Sequence, residues 1–167
     1  MKQMNFTQQI AKHLREVYFG GNWTSVNLKD TIADVTWQEA TTQIHSLNTI
    51  ATLIYHTHYY VHVVSKFLQG EKLNAKDEYS FNLPPVQSQE DWENLLNETW
   101  ADVEVLAAQI EDLPDDQLEE IFADEKYGSY YRNFHGIVEH THYHLGQIVL
   151  IKKMLRLGEK AQNVFTE

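Results

Sequence analysis

The sequence contains no cysteine. That excludes disulfides, zinc–thiolate centres, iron–sulfur clusters and any cysteine nucleophile of the chain's own. Proline is scarce, at 3 of 167 residues, and glycine numbers 7. No tract rich in Gly, Ser or Pro reads as a linker, and there is no internal repeat, so one domain over 1–167 is the simplest organisation. No apolar run is long enough to cross a bilayer. The stretch MKQMNFTQQIAKHLREVYF lacks an apolar core followed by a small-residue cleavage site. A cytoplasmic protein with no membrane partner is expected. Cations are in deficit: 13 Lys and Arg against 24 Asp and Glu give a net charge of −11. Such a field repels a phosphate backbone and argues against nucleic acid as a partner.

What is present is ordinary globular material. Hydrophobic residues make up 43% of the chain, and the length suffices for a real core. Eight acids (Glu111, Asp112, Asp115, Asp116, Glu119, Glu120, Asp124, Glu125) run without a Lys or Arg between them. They read as a solvated helix end and loop, with a docking site for a basic partner as the other reading.

Helical periodicity recurs four times. The spacing predicts a first helix over about Asn5 to Tyr18, stopped at Gly20-Gly21-Asn22, with Phe6, Ile10, Leu14 and Val17 on its stripe. A short helix over Asn27 to Asp34 follows, and Thr36 with Glu39 forms the pattern of a capping box. The second long helix is expected from about Ser46 to Leu68, and the third from a Ser88 cap to about Asp112. Between them KLNAKDEYSFNLPPVQS reads as a loop. Asp115 to Phe122 suggests another short helix, and the fourth long helix is expected from Tyr131 to Leu157, closed by Gly158. Nothing reads as a strand. The expected class is therefore all-α: a four-helix bundle with short extra helices in its connections. Trp23, Trp37, Trp92 and Trp100 read as core or loop packing.

Nine histidines are present, six of them in two short windows, YHTHYYVH (His56, His58, His62) and HTHYH (His140, His142, His144). A helix advances about 100° per residue, which sorts them. Ile137, His140, Ile148, Ile151 and Leu155 fall within about 40° of His144, so His140 and His144 are two inward imidazoles one turn apart. His135 and His142 point roughly the other way. On the second helix Leu53, Tyr60, Val63 and Phe67 share a face with His56, while His58 and His62 lie about 160° and 120° from it. An i, i+4 pair can aim both nitrogens at one point beyond the helix, and a facing helix supplies a third ligand. Neutral imidazole suits Zn, Ni, Cu or Fe. The alternative is three core histidines satisfied by hydrogen bonds, with Tyr55, Tyr59, Tyr60 and Tyr143 as the available partners. The H-x-x-x-H spacing has no internal Glu, so it supplies no general base of the zinc-protease kind, and Glu139 should point about 100° away from His140.

The segment HGIVEHTHYHLGQIVLIKKML resembles the closing helix of the DinB/YfiT-like superfamily, in which a His-x-x-x-His pair precedes a GQI run. NTIATLIYHTHYYVHVVSKFLQG resembles its second helix, with a single ligand histidine, and GGNWTSVNLKDTIADVTWQEA fits the connection before it. The likeness spans roughly Phe6 to Leu157. It implies a four-helix bundle, often a homodimer, with a three-histidine site for a divalent transition metal such as Zn, Ni, Fe or Mn. Matched position by position, the ligands fall on His56, His140 and His144, with His58 the neighbouring candidate on the second helix.

Three functional readings follow. A three-ligand site leaves a coordination position open, which suits a metal-dependent enzyme. The resemblance implies transfer to or from a low-molecular-weight thiol, which would attack an electrophilic substrate; metal-dependent hydrolysis is a variant of that reading. No catalytic acid or base is assigned. The second reading is a non-catalytic, dimeric, stress-related protein whose metal ties helices together. The third is a metal-free core.

Overall fold

The structure is a computed structural model that describes residues 4–164. The described residues hold six α-helices and no strand. The long ones are α1 (Phe6–Phe19), α4 (Ile50–Leu68), α5 (Gln89–Asp112) and α6 (Tyr130–Val164). Two short helices, α2 (Leu28–Ile32) and α3 (Trp37–Thr41), lie in the first connection, and 3₁₀ turns cover Asp77–Phe81, Asp115–Glu119 and Glu125–Tyr127. None of the described helices is long and apolar enough to cross a membrane.

Local chemistry sets the boundaries. Asn5 and Gln8 form a reciprocal capping box at the start of α1, and Thr36 and Glu39 do the same for α3. Asn27 caps α2, and Ser88 caps α5. Gly20 ends α1 at φ 108°, its N–H donating to the Glu16 carbonyl. Two expected boundaries move. Helix α4 starts at Ile50 rather than Ser46, because His45 sits at φ 50° and the Thr49 hydroxyl supplies the cap, accepting from the Thr52 N–H at 3.1 Å. Helix α6 does not stop at Gly158. One interior glycine costs only about 1 kcal/mol, and the good helix formers that follow it carry the helix to Val164. The stretch expected as a short helix to Phe122 is instead a 3₁₀ turn over Asp115–Glu119, and an isolated bridge then pairs Ile121 with Ser129.

Each long helix packs on two others, α1 on α5 and α6, and α4 on α5 and α6. Between them lies the core, including Leu14, Tyr18, Ile54, Val103, Leu106, Phe134 and Ile148. Part of the acidic run has structural work. The Asp115 carboxylate accepts from the Phe6 and Thr7 N–H groups at the start of α1, and Glu111 pairs with Arg15. On the opposite flank Arg156 of α6 binds Asp34 and Glu39, which fastens α6 to the α2–α3 segment. Those contacts, Arg156 first and Lys152 second, hold the Asp34 carboxyl well below the usual range.

The tryptophans divide. Trp23 is exposed in its turn, contrary to the packing expected of it. Trp92 is buried, and its indole N–H donates to the Val35 carbonyl at 3.1 Å. Trp92→Phe should leave that buried carbonyl without its donor, at a cost of about 1–3 kcal/mol in urea unfolding. A loss below about 0.5 kcal/mol would show that the bond does not hold the α2–α3 segment to α5.

Candidate metal centre

His56 projects from α4 toward α6, and His140 and His144 project back from successive turns of α6. The His140 Nε2 lies 2.9 Å from the Nε2 of His56 and 2.9 Å from that of His144. The three ring centroids stand 4.5–4.8 Å apart. The histidines that helical geometry selects are thus brought to one point.

The outer nitrogens decide what that point can hold. Ser80, on the 3₁₀ turn Asp77–Phe81, donates its hydroxyl hydrogen to the Asp77 carbonyl at 2.6 Å. It therefore accepts from the His56 Nδ1–H at 2.7 Å. The Gln147 Oε1, an acceptor, lies 2.7 Å from the His144 Nδ1, which must also carry its hydrogen. In the neutral rings both Nε2 atoms are then bare lone pairs aimed at His140. The His140 Nε2 can offer one hydrogen between them. No tyrosine hydroxyl bonds the three rings among the described residues: Tyr60 donates to Asp77, and Tyr59 accepts from the Lys76 N–H.

Protonation does not relieve the crowding. Burial, then the charge of His144, pushes His56 down to about 4. Burial, then His144 and His56, pushes His140 to about 4 as well, with Asp77 opposing in both cases. Burial also lowers His144, partly offset by Gln147. Converging lone pairs on neutral imidazoles are the donor set of a cation, and the group could hold a metal ion. Nitrogens at about 2.0–2.1 Å from a tetrahedral ion stand roughly 3.3 Å apart, so the two 2.9 Å separations need to open by only a few tenths of an ångström. Outer bonds such as those from Ser80 and Gln147 fix tautomer and ring orientation in metal sites.

The surroundings shield this point on one side. Phe81 stacks on His56 at 4.2 Å between centroids, and Tyr60 sets its edge against His56 and His140. Burial, and the hydrogen bond it donates to Asp77, push the Tyr60 hydroxyl up to about 12. Ser80 and Asp77 carry no signal in the sequence, since they sit 24 and 21 residues from His56 in what reads as a loop. Gln147 belongs to the GQI run, but its hydrogen bond to His144 has no signature in the sequence.

His58 lies on the other flank of α4 from His56, as its helical angle predicts, yet it is not solvent-exposed. Helix α4 is covered on its second flank by α5, so His58 is buried there. Its Nε2 and the Nδ1 of His62 meet one oxygen of Asp102 at 2.8 and 2.7 Å. This trio too lies within reach of a common ion. It differs in having a carboxylate oxygen that satisfies both imidazoles directly, and His62 is half exposed. Asp102→Asn should therefore cost about 1–3 kcal/mol of stability and leave bound metal unchanged. Loss of metal in that variant would move the assignment to the α4–α5 seam. His142 lies near His13 with its Nε2 buried and unpartnered, and His135 packs on Tyr131; neither joins the cluster. Glu139 is exposed on α6, as its helical angle predicts.

No family model matches the chain, and no curated protein or solved structure matches it either.

Proposed function

We propose that this chain is a DinB/YfiT-like four-helix bundle that holds one divalent transition metal through His56, His140 and His144 and uses it in thiol transfer. The observation that carries the reading is the pair of bare Nε2 lone pairs on His56 and His144, fixed by Ser80 and Gln147 and converging on His140. The group has three members among the described residues, so a four-coordinate ion keeps a place for an outside ligand. That favours catalysis over a purely structural metal.

A divalent cation held by His56, His140 and His144 would supply Lewis acidity, which favours the thiolate over the thiol near neutral pH. The residues do the rest. Ser80 and Gln147 orient two rings; Phe81 and Tyr60 keep water from one side of the cluster. The thiol sulfur then bonds to an electrophilic carbon, and the leaving group departs with its electron pair and takes up the proton. Asp77, with Tyr60 donating to it, is the carboxylate whose field reaches His56 and His140.

Cobalt-loaded protein tests this directly. Addition of mercaptoethanol should produce a sulfur-to-cobalt absorption band. Stoichiometric cobalt with no band from any thiol would leave the metal as a structural tie between α4 and α6.

A further inference from the structure

We infer that the small molecule acted on at this centre is an organic anion whose charged end is bound by Lys126 and by Arg132, which lies two helical turns from His140. The inference rests on the metal reading above. A cavity of about 380 Å³ opens beside His140. Tyr60, Val64, Tyr127 and Ile137 give it apolar walls, and Lys126 and Arg132 also line it. In a chain with a net charge of −11, neither of these cations pairs with a carboxylate among the described residues. The Lys126 ammonium instead stands 4.8 Å over the Tyr127 ring.

Helical register sets the length of the ligand. Arg132, Gly136 and His140 lie at successive i, i+4 positions of α6, each about 40° round the helix from the last and over a rise of about 12 Å in all. Gly136 forms part of the floor between them, and a Cβ added there would meet nothing within 4 Å. The charged end also lies by the first turn of α6, where the helix dipole favours an anion. An apolar spacer against Val64 and Ile137 would join that anion to a reacting group at the histidines.

The test compares two thiols that differ only at the far end, 6-mercaptohexanoate and 6-mercaptohexanol, titrated into cobalt-loaded protein and read by the sulfur-to-cobalt band. The carboxylate should bind about tenfold more tightly at low salt, and the preference should shrink as salt rises. The Lys126→Ala/Arg132→Ala double variant should lose the preference and keep its affinity for the alcohol. Gly136→Leu should weaken both thiols. Equal affinities in the parent, or a preference that survives the double variant, would overturn the anion site. A missing band with both thiols would overturn the open metal site instead. The pocket is then judged by calorimetry with octanoate on metal-free protein: binding lost in the double variant supports it, and no binding in the parent refutes it.

Discussion

Untagged protein purified without a nickel column should carry about one divalent transition metal ion per chain, and His140→Ala should carry almost none. His140 is the choice because its Nε2 lies 2.9 Å from both other Nε2 atoms, so its removal takes away the centre of the set. The remaining pair, one ring on α4 and one on α6, has no third protein ligand among the described residues. Affinity should therefore fall by more than the 10–100-fold that an outer hydrogen bond is usually worth. Ser80→Ala should show that smaller loss, because it frees the His56 ring without removing a ligand. Stability gives an independent readout. Metal at 1,000 times its dissociation constant stabilises the folded state by about 4 kcal/mol, which His140→Ala should not share. Equal metal content in parent and variant would remove His140 from the site. No uptake by either, even after incubation with Zn or Ni, would leave the three histidines as core residues.

The second large effect is on the pH dependence of the metal-free protein. His56 and His140 are bases whose folded pKa, about 4, lies below the 6.5 of the unfolded chain. Above pH 6.5 neither state takes the proton and nothing is lost. Between 6.5 and about 4 the unfolded chain binds protons that the folded chain refuses, so stability falls as pH falls. Below about 4 both states are protonated and the loss levels off. At 1.36 kcal/mol per pH unit, each ring is worth on the order of 3 kcal/mol at most, and a few kcal/mol is the expected size for the coupled pair. Thermal unfolding between pH 7 and 5 stays above most carboxylate titration, and a His140 variant separates this pair from His144 and His135, which burial also lowers. His140→Gln should flatten the slope. A metal-free parent whose melting temperature is level from pH 7 to 5 would contradict this electrostatic account.

Much of this arrangement was readable from periodicity. The core side of α6 follows from Ile137, His140, His144, Ile148 and Ile151 recurring at helical spacing, which selects two of the three clustered rings. Caps at Ser88 and Thr36 were equally legible, because a hydroxyl before an apolar run has a local role that needs no tertiary partner. Helix α4 was harder. It is buried on two flanks, so a single stripe drawn through His56 describes only the side facing α6 and leaves His58 apparently outside. Positions fixed by distant partners gave no sign at all. Ser80 reaches His56 from a connection with no periodicity, and Asp115 reaches the start of α1 across 108 residues. Gly158 misled because a glycine marks a helix end only when the next residues cannot continue the helix.

The Asp77–Phe81 turn folds back onto the helix that precedes it. It belongs to the connection between α4 and α5, yet its Ser80 hydroxyl and Phe81 ring both rest on His56. Linkage is reciprocal: whatever free energy the turn lends to metal affinity, the metal returns to the turn. With a metal held by the three histidines, the connection would serve as an occupancy gauge, its backbone amides slower to exchange and its peptide bonds slower to be cleaved. A change at Ser80 or Phe81 should then retune metal affinity without touching a ligand.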